Sequence, residues 1–128
     1  MGTGNMAKNI LLVEDHLDTA MALSRLLRLA GYRVGTAGGV QDALRMCAAE
    51  RFDLLISDIG LPDGTGHELM RELADRYGAK GIVVSGYGDE HELAKSRAAG
   101  FVEHLTKPIT LESLQAAIER AIETKRPC

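Results

Sequence analysis

The groups able to do chemistry in this sequence stand at four breaks in otherwise apolar runs. Glu14-Asp15 follows Asn9-Ile10-Leu11-Leu12-Val13, and Asp58 follows Phe52-Asp53-Leu54-Leu55-Ile56-Ser57. Ser85 follows Gly81-Ile82-Val83-Val84, and Lys107 comes just after Phe101-Val102-Glu103-His104-Leu105. Carboxylates brought close together repel and raise one another's pKa unless a cation neutralises them. The candidate ligands are oxygens, with no His or Cys among them, so the cation should be hard. Magnesium suits the set better than calcium, because it takes one or two carboxylates and keeps waters and phosphate as its other ligands. A magnesium ion beside a carboxylate, a hydroxyl and an ammonium is suited to phosphoryl transfer. One carboxylate attacks phosphorus and becomes an acyl phosphate. The metal and Lys107 neutralise the oxygens of the group in flight, and Ser85 hydrogen-bonds one of them. Asp58 is the expected nucleophile, because Ile59-Gly60-Leu61-Pro62-Asp63-Gly64-Thr65-Gly66 makes a glycine-rich, open loop after it. Asp15 and Glu14 are expected to hold the metal, Glu14 directly or through water.

Each feature alone is ordinary: a Glu-Asp pair is solvated charge, a Ser-Gly is a turn, and a Lys-Pro precedes one. Their joint meaning depends on elements that bring them to one edge. Ala20, Leu23, Leu27 and Ala30 recur at helical spacing before Gly31. Tyr32–Ala37 reads as a second strand, and Val40, Ala43, Leu44 and Cys47 mark a second helix. Phe52–Ser57 is the third strand. A third helix runs from about Gly66 to Tyr77, with Leu69, Leu73 and Tyr77 on one face and Gly78 as its stop. Gly81–Val84 is the fourth strand. Asp89–Ala99 is a fourth helix with a thin apolar face of Leu93, Ala94 and Ala98, ended by Gly100. After the fifth strand, Thr110 is a good N-cap for a last helix carrying Leu111, Leu114, Ile118, Ala121 and Ile122.

Strands alternating with helices imply an α/β fold: a doubly wound, five-stranded parallel sheet with right-handed crossovers. Five strands suit the flavodoxin-like (βα)5 order 2-1-3-4-5, in which all strand C-termini share one edge and strands one and three meet at the switch point.

With 128 residues the chain makes one domain able to bury a real core. Residues 1–7 read as a disordered leader or tag remnant and 8–126 as the domain. A net charge of −3 without a basic run argues against a nucleic-acid surface, and the absence of Trp removes a stacking platform. No run approaches the roughly 20 apolar residues of a membrane span. Cys47 and Cys128 form no metal-ligand pattern; Cys47 is expected as a core filler, and both fit a reducing cytoplasm. His16 and His67 are expected as solvent-exposed residues at helix entries.

From Lys8 to Thr124 the sequence resembles the receiver domains of two-component signalling proteins. The resemblance rests on Ile10-Leu11-Leu12-Val13-Glu14-Asp15, Asp58-Ile59-Gly60-Leu61-Pro62-Asp63-Gly64, Ser85-Gly86 and Lys107-Pro108. It implies that Asp58 takes a phosphoryl group from a histidine kinase phosphohistidine or a phosphotransfer domain. It implies a magnesium site of Glu14, Asp15, Asp58 and the Gly60 backbone carbonyl, with Ser85 as a switch hydroxyl and Lys107 contacting the phosphoryl group. A cis bond before Pro108 is also implied, and helix four, strand five and helix five would face an output domain or a dimer partner. One departure stands out: the family's rotating Tyr or Phe is replaced by His104, which implies altered or pH-dependent coupling of the output surface. Ser85-Gly86-Tyr87-Gly88 is worded like the receivers of hybrid kinases, so a stand-alone domain and an excised one both fit. The expected role is phosphoacceptor, not enzyme, with self-phosphorylation and self-dephosphorylation only.

Three rivals have distinct requirements. A haloacid-dehalogenase-type phosphatase needs an Asp-x-Asp after strand one, where Glu14-Asp15-His16 stands. A flavodoxin-like electron carrier needs a phosphate loop there and aromatic ring contacts. A receiver-like module that only binds proteins would not need the full set of site residues.

Overall fold

Apolar runs flanked by glycine stops resolve into ten main elements in a computed structural model, which describes residues 8–86 and 90–123. The parallel strands are β1 (Asn9–Val13), β2 (Arg33–Ala37), β3 (Leu54–Asp58), β4 (Gly81–Ser85) and β5 (Phe101–Thr106). The helices are α1 (Leu17–Leu29), α2 (Val40–Ala49), α3 (Gly66–Tyr77), α4 (Glu90–Ala99) and α5 (Leu111–Glu123). The spatial order is β2-β1-β3-β4-β5, all parallel. This is the expected flavodoxin-like arrangement.

Alternation along each strand divides the interior in two. Leu11, Val13, Leu55, Val83 and Phe101 face Val40, Leu69, Leu73 and Ala99 of α2, α3 and α4. Ile10, Leu12, Leu54, Ile56, Ile82 and Val84 face Leu27 of α1 and Leu114 and Ile118 of α5. Both faces of the sheet are therefore dry, which explains runs without polar interruption.

Several expectations shift in detail. β3 starts at Leu54, not Phe52, because Asn9 ties down the preceding segment. Its side chain donates to Glu50 and to the Arg51 carbonyl, and its backbone N–H donates to Asp53. The loop after Asp58 contains a two-residue antiparallel ladder, Gly60–Leu61 against Gly64–Thr65. Tyr77 is exposed, so the buried stripe of α3 is Leu69, Met70 and Leu73. In α4 the face turned inward is Ser96 and Ala99; Ala94 and Ala98 are exposed. Cys47 is half-buried beside the α2–α3 core, and burial pushes its thiol up. Asp89 and Cys128 lie outside the described residues. Thr110 caps α5 as expected, its hydroxyl accepting from the Ser113 N–H at 3.0 Å.

Candidate functional site

Register alone brings the acidic residues together. Val13 lies opposite Ser57, so Glu14 follows level with Asp58. Asp58 lies opposite Val84, and Ser85 opposite Thr106, which places Ser85 and Lys107 one step further on. The Lys107–Pro108 bond is cis, and the Lys107 N–H donates to the Ser85 carbonyl at 2.8 Å. That contact fixes the backbone from which the lysine reaches back.

Lys107 Nζ stands 3.1 Å from Asp58 Oδ2 and 4.0 Å from Glu14 Oε1. Asp58 Oδ1 accepts the Ile59 N–H at 2.8 Å. The Asp58 side chain is 17% exposed and that of Glu14 only 5%. A cavity of about 440 Å³ opens beside them, lined by Glu14, Asp58 and Lys107 together with Leu23, Pro108 and Ile109. Asp15 is exposed, and Gly60 is exposed two residues past Asp58.

The charge balance favours a divalent cation. Two carboxylates, those of Glu14 and Asp58, share one ammonium, and exposed Asp15 stands beside Glu14, which leaves an excess of negative charge at a partly desolvated pocket. The oxygens fit magnesium, a hard ion. Sequence reasoning missed a nearby nitrogen. His16 is exposed and precedes α1, as expected, but its ring Nδ1 lies 3.1 Å from Glu14 Oε2 and 3.5 Å from Asp15 Oδ1. Glu14, Asp15 and His16 each offer a ligand atom within 4.8 Å of the others. The sequence signal was simple adjacency, which does not say where a ring turns.

The loop after Asp58 is fixed from both ends. Asp63 accepts the N–H groups of Val40 and Gln41 at 2.7 and 3.0 Å, capping α2. Those backbone bonds, Gln41 first and Val40 next, hold its carboxyl below the usual range. Thr65 and Glu68 close a capping box at the start of α3. The box carries a local signal, Thr-x-x-Glu, that was not read; the Asp63 cap, which spans 23 residues, had none. Gly66 begins α3 with its N–H donating to the Ile59 carbonyl at 2.7 Å.

The switch candidates are in direct contact: Ser85 Oγ and His104 Nε2 are 3.1 Å apart, with Ser85 buried. His67 is not the exposed residue expected. It is half-buried, 3.1 Å from buried Ser96 Oγ on α4, and edge-on to Phe101 with ring centroids 6.2 Å apart. Burial, opposed by Glu92 and reinforced by Lys95, Arg71 and His104, holds its pKa below the ordinary value.

The sheet is flavodoxin-like, with two carboxylates and a lysine gathered at its switch point. The model of the response regulator receiver domain matches residues 10–119, and the chain belongs to that family. It is 36% identical over 118 residues to the KDP operon transcriptional regulatory protein KdpE of Escherichia coli, covering 89% of this chain and 51% of KdpE. It is 31% identical over 115 residues to the sensor protein EvgS of Escherichia coli, covering 88% of this chain and 9% of EvgS. The receiver domain structure from Methanospirillum hungatei superposes with a TM-score of 0.85 at 30% identity, over 91% of this chain and 94% of that one. The chain spans about half the length of KdpE and smaller shares of other curated relatives that it matches.

Proposed function

We propose that the domain accepts a phosphoryl group on Asp58 from a phosphohistidine, on a histidine kinase or a phosphotransfer domain, in a magnesium-dependent reaction. The observation that carries this reading is Lys107 Nζ at 3.1 Å from Asp58 and 4.0 Å from Glu14, at a switch point with excess negative charge. An Asp58 carboxylate oxygen forms the new bond to phosphorus. The phosphorus–nitrogen bond breaks, and the leaving imidazole keeps the electron pair and takes up a proton. Glu14, Asp15, Asp58 and the Gly60 carbonyl are the residues that would hold the ion. Bound there, it would supply positive charge to the phosphoryl oxygens. Lys107 supplies a second positive charge beside Asp58, and the Ser85 hydroxyl would supply a hydrogen bond to the transferred group.

The role is that of a phosphoacceptor, with self-phosphorylation and self-dephosphorylation as its only chemistry. The change at Asp58 is relayed through Ser85 and His104 to the surface of α4, β5 and α5, which meets an output protein, a downstream phosphotransfer partner or a second copy. The cytoplasm, where phosphohistidine donors work, is the proposed location; among the described residues no helix is long and apolar enough to cross a membrane. KdpE is a regulator and EvgS a sensor, so the proposal holds for a stand-alone regulator and for a receiver within a larger sensor. The test is intact mass after incubation with acetyl phosphate. One phosphoryl group should be gained with magnesium and suppressed without it, and a gain indifferent to magnesium would overturn the metal-dependent mechanism.

A further inference from the structure

We propose that His67 is an acid-sensitive clasp between α3 and α4: uncharged, it holds α4 against the domain, and once protonated it lets α4 open locally. This goes beyond the phosphoacceptor reading and does not depend on it, because it concerns the chain before any phosphoryl group arrives. It gives the α4 surface a second input.

α4 has a narrow footing. Its buried side chains are Ser96 and Ala99, with Leu93 half-buried. A surface helix ordinarily docks through a broad apolar stripe. In α4 one of the two buried residues is polar, and its hydroxyl is met from α3 by His67, with Nε2 3.1 Å from Ser96 Oγ. The same ring stands edge-on to Phe101 of β5, centroids 6.2 Å apart. His67 therefore fills the seam where α3, α4 and β5 meet. Elements with few buried apolar contacts are the ones that open before the rest of a fold.

The seam suits a neutral ring. The charged and titratable groups around it are Arg71 on α3, Glu92 and Lys95 on α4, and His104 on β5. Partial burial disfavours a charge on the ring most; Glu92 favours one, against Lys95, Arg71 and His104. The hydrogen bond itself is not what acid removes, since a serine hydroxyl can donate to a neutral imidazole and accept from a charged one. What acid adds is a positive charge half out of water, beside two permanent cations. Opening α4 returns that charge to water, where an imidazole has its ordinary pKa of about 6.5. The open form therefore binds the proton more tightly, and falling pH shifts the balance toward it.

The test is hydrogen exchange, resolved to single α4 amides, on the whole unphosphorylated chain at pH 7.5 and 5.5, with the intrinsic exchange rate divided out. The open population of α4 should rise roughly three- to tenfold in acid; tenfold is about the ceiling that an ordinary pKa sets over this interval. His67→Gln keeps an amide within reach of Ser96 but carries no charge, so its α4 opening should stay within about 1.5-fold. His91 is exposed on α4 as well, so a rise that persists in His67→Gln belongs to another group and overturns the clasp. A parent protein with no rise overturns it too. So do α4 amides as protected as those of β3, because α4 then opens only with the whole domain. Should His67→Gln fold poorly, the imidazole resonances of the parent decide: a His67 ring that titrates in the folded chain at or above about 6.5 overturns the proposal.

Discussion

Gly66→Ala tests how tightly the start of α3 is pressed against the acceptor. A Cβ built at Gly66 lies 2.2 Å from the Asp58 carbonyl oxygen and 3.1 Å from Ser57 Oγ. Real Cβ contacts stop at about 3.0 Å, so the two backbones must part by roughly 0.8 Å. Nothing flexible can absorb this. The obstacle is main chain, and it is pinned by the Ser57 hydroxyl donating to the Asp58 carbonyl at 2.7 Å and by the Gly66 N–H on Ile59. Overpacking of this kind costs about 1–3 kcal/mol. Ala is better than Gly by up to about 1 kcal/mol in a helix interior, but Gly66 is the first residue of α3 and little of that gain applies, so a net loss of about 1–2 kcal/mol is expected. For a domain of this size that lowers the thermal midpoint by roughly 4–10 °C. The same shift moves Asp58 relative to Lys107, and misplacement by about 1 Å can cost a hundredfold in rate. Phosphoryl uptake should therefore slow by roughly ten- to a hundredfold. Thermal unfolding and timed intact mass are the assays, with Gly38→Ala as control because a Cβ there meets nothing within 4 Å. A Gly66→Ala protein that melts within a degree of the parent and reacts at the same rate would refute the packing argument.

Other outcomes follow from the same contacts. Lys107→Ala should slow uptake by about a hundredfold, as expected on losing one preorganised charge. It should also tighten magnesium binding by calorimetry, because the ammonium competes for Asp58 and Glu14; weaker binding would contradict that electrostatic account. His67 is held below its ordinary pKa, so as pH falls below about 6.5 the unfolded chain binds a proton that the folded chain resists. Stability should decline through that window and level off below the folded pKa. His67→Gln should flatten the decline in thermal midpoint between pH 7 and 5, and an unchanged slope would remove the argument. Asp63→Ala should lower the thermal midpoint at pH 7, with the difference from the parent shrinking as acid protonates Asp63; a constant difference would show that its charge is irrelevant to the cap.

The sheet order was legible because three strands, β1, β3 and β4, are dry runs of β-formers ended by a charge or a glycine turn, and five strands alternating with helices allow few topologies. Glu14, Asp58, Ser85 and Lys107 were legible as a group because parallel register sends every strand end to one edge. What escaped depended on side-chain direction or on long-range partners. His16 and His67 were read alike, as polar residues at helix entries. Yet one turns back over two carboxylates, and the other is half-buried against a serine of the next helix. Helix spacing named Tyr77 and Ala98 as apolar-face residues, but Tyr77 ends α3 exposed and α4 turns Ser96 inward. The start of β3 was misplaced by Asn9, whose hydrogen bonds reach 41 to 44 residues along the chain. No local pattern encodes such a reach.

The central claim is that Asp58 itself becomes the acyl phosphate. Borohydride reduction of the phosphorylated chain, followed by peptide mass mapping, tests it most directly, since an acyl phosphate at this residue is reduced to the side-chain alcohol while free carboxylates are untouched. The account predicts conversion at Asp58 alone, dependent on prior phosphorylation and absent in Asp58→Asn. Conversion at Glu14 or Asp15, or a phosphoryl group found on a histidine or serine with Asp58 unreduced, would contradict it.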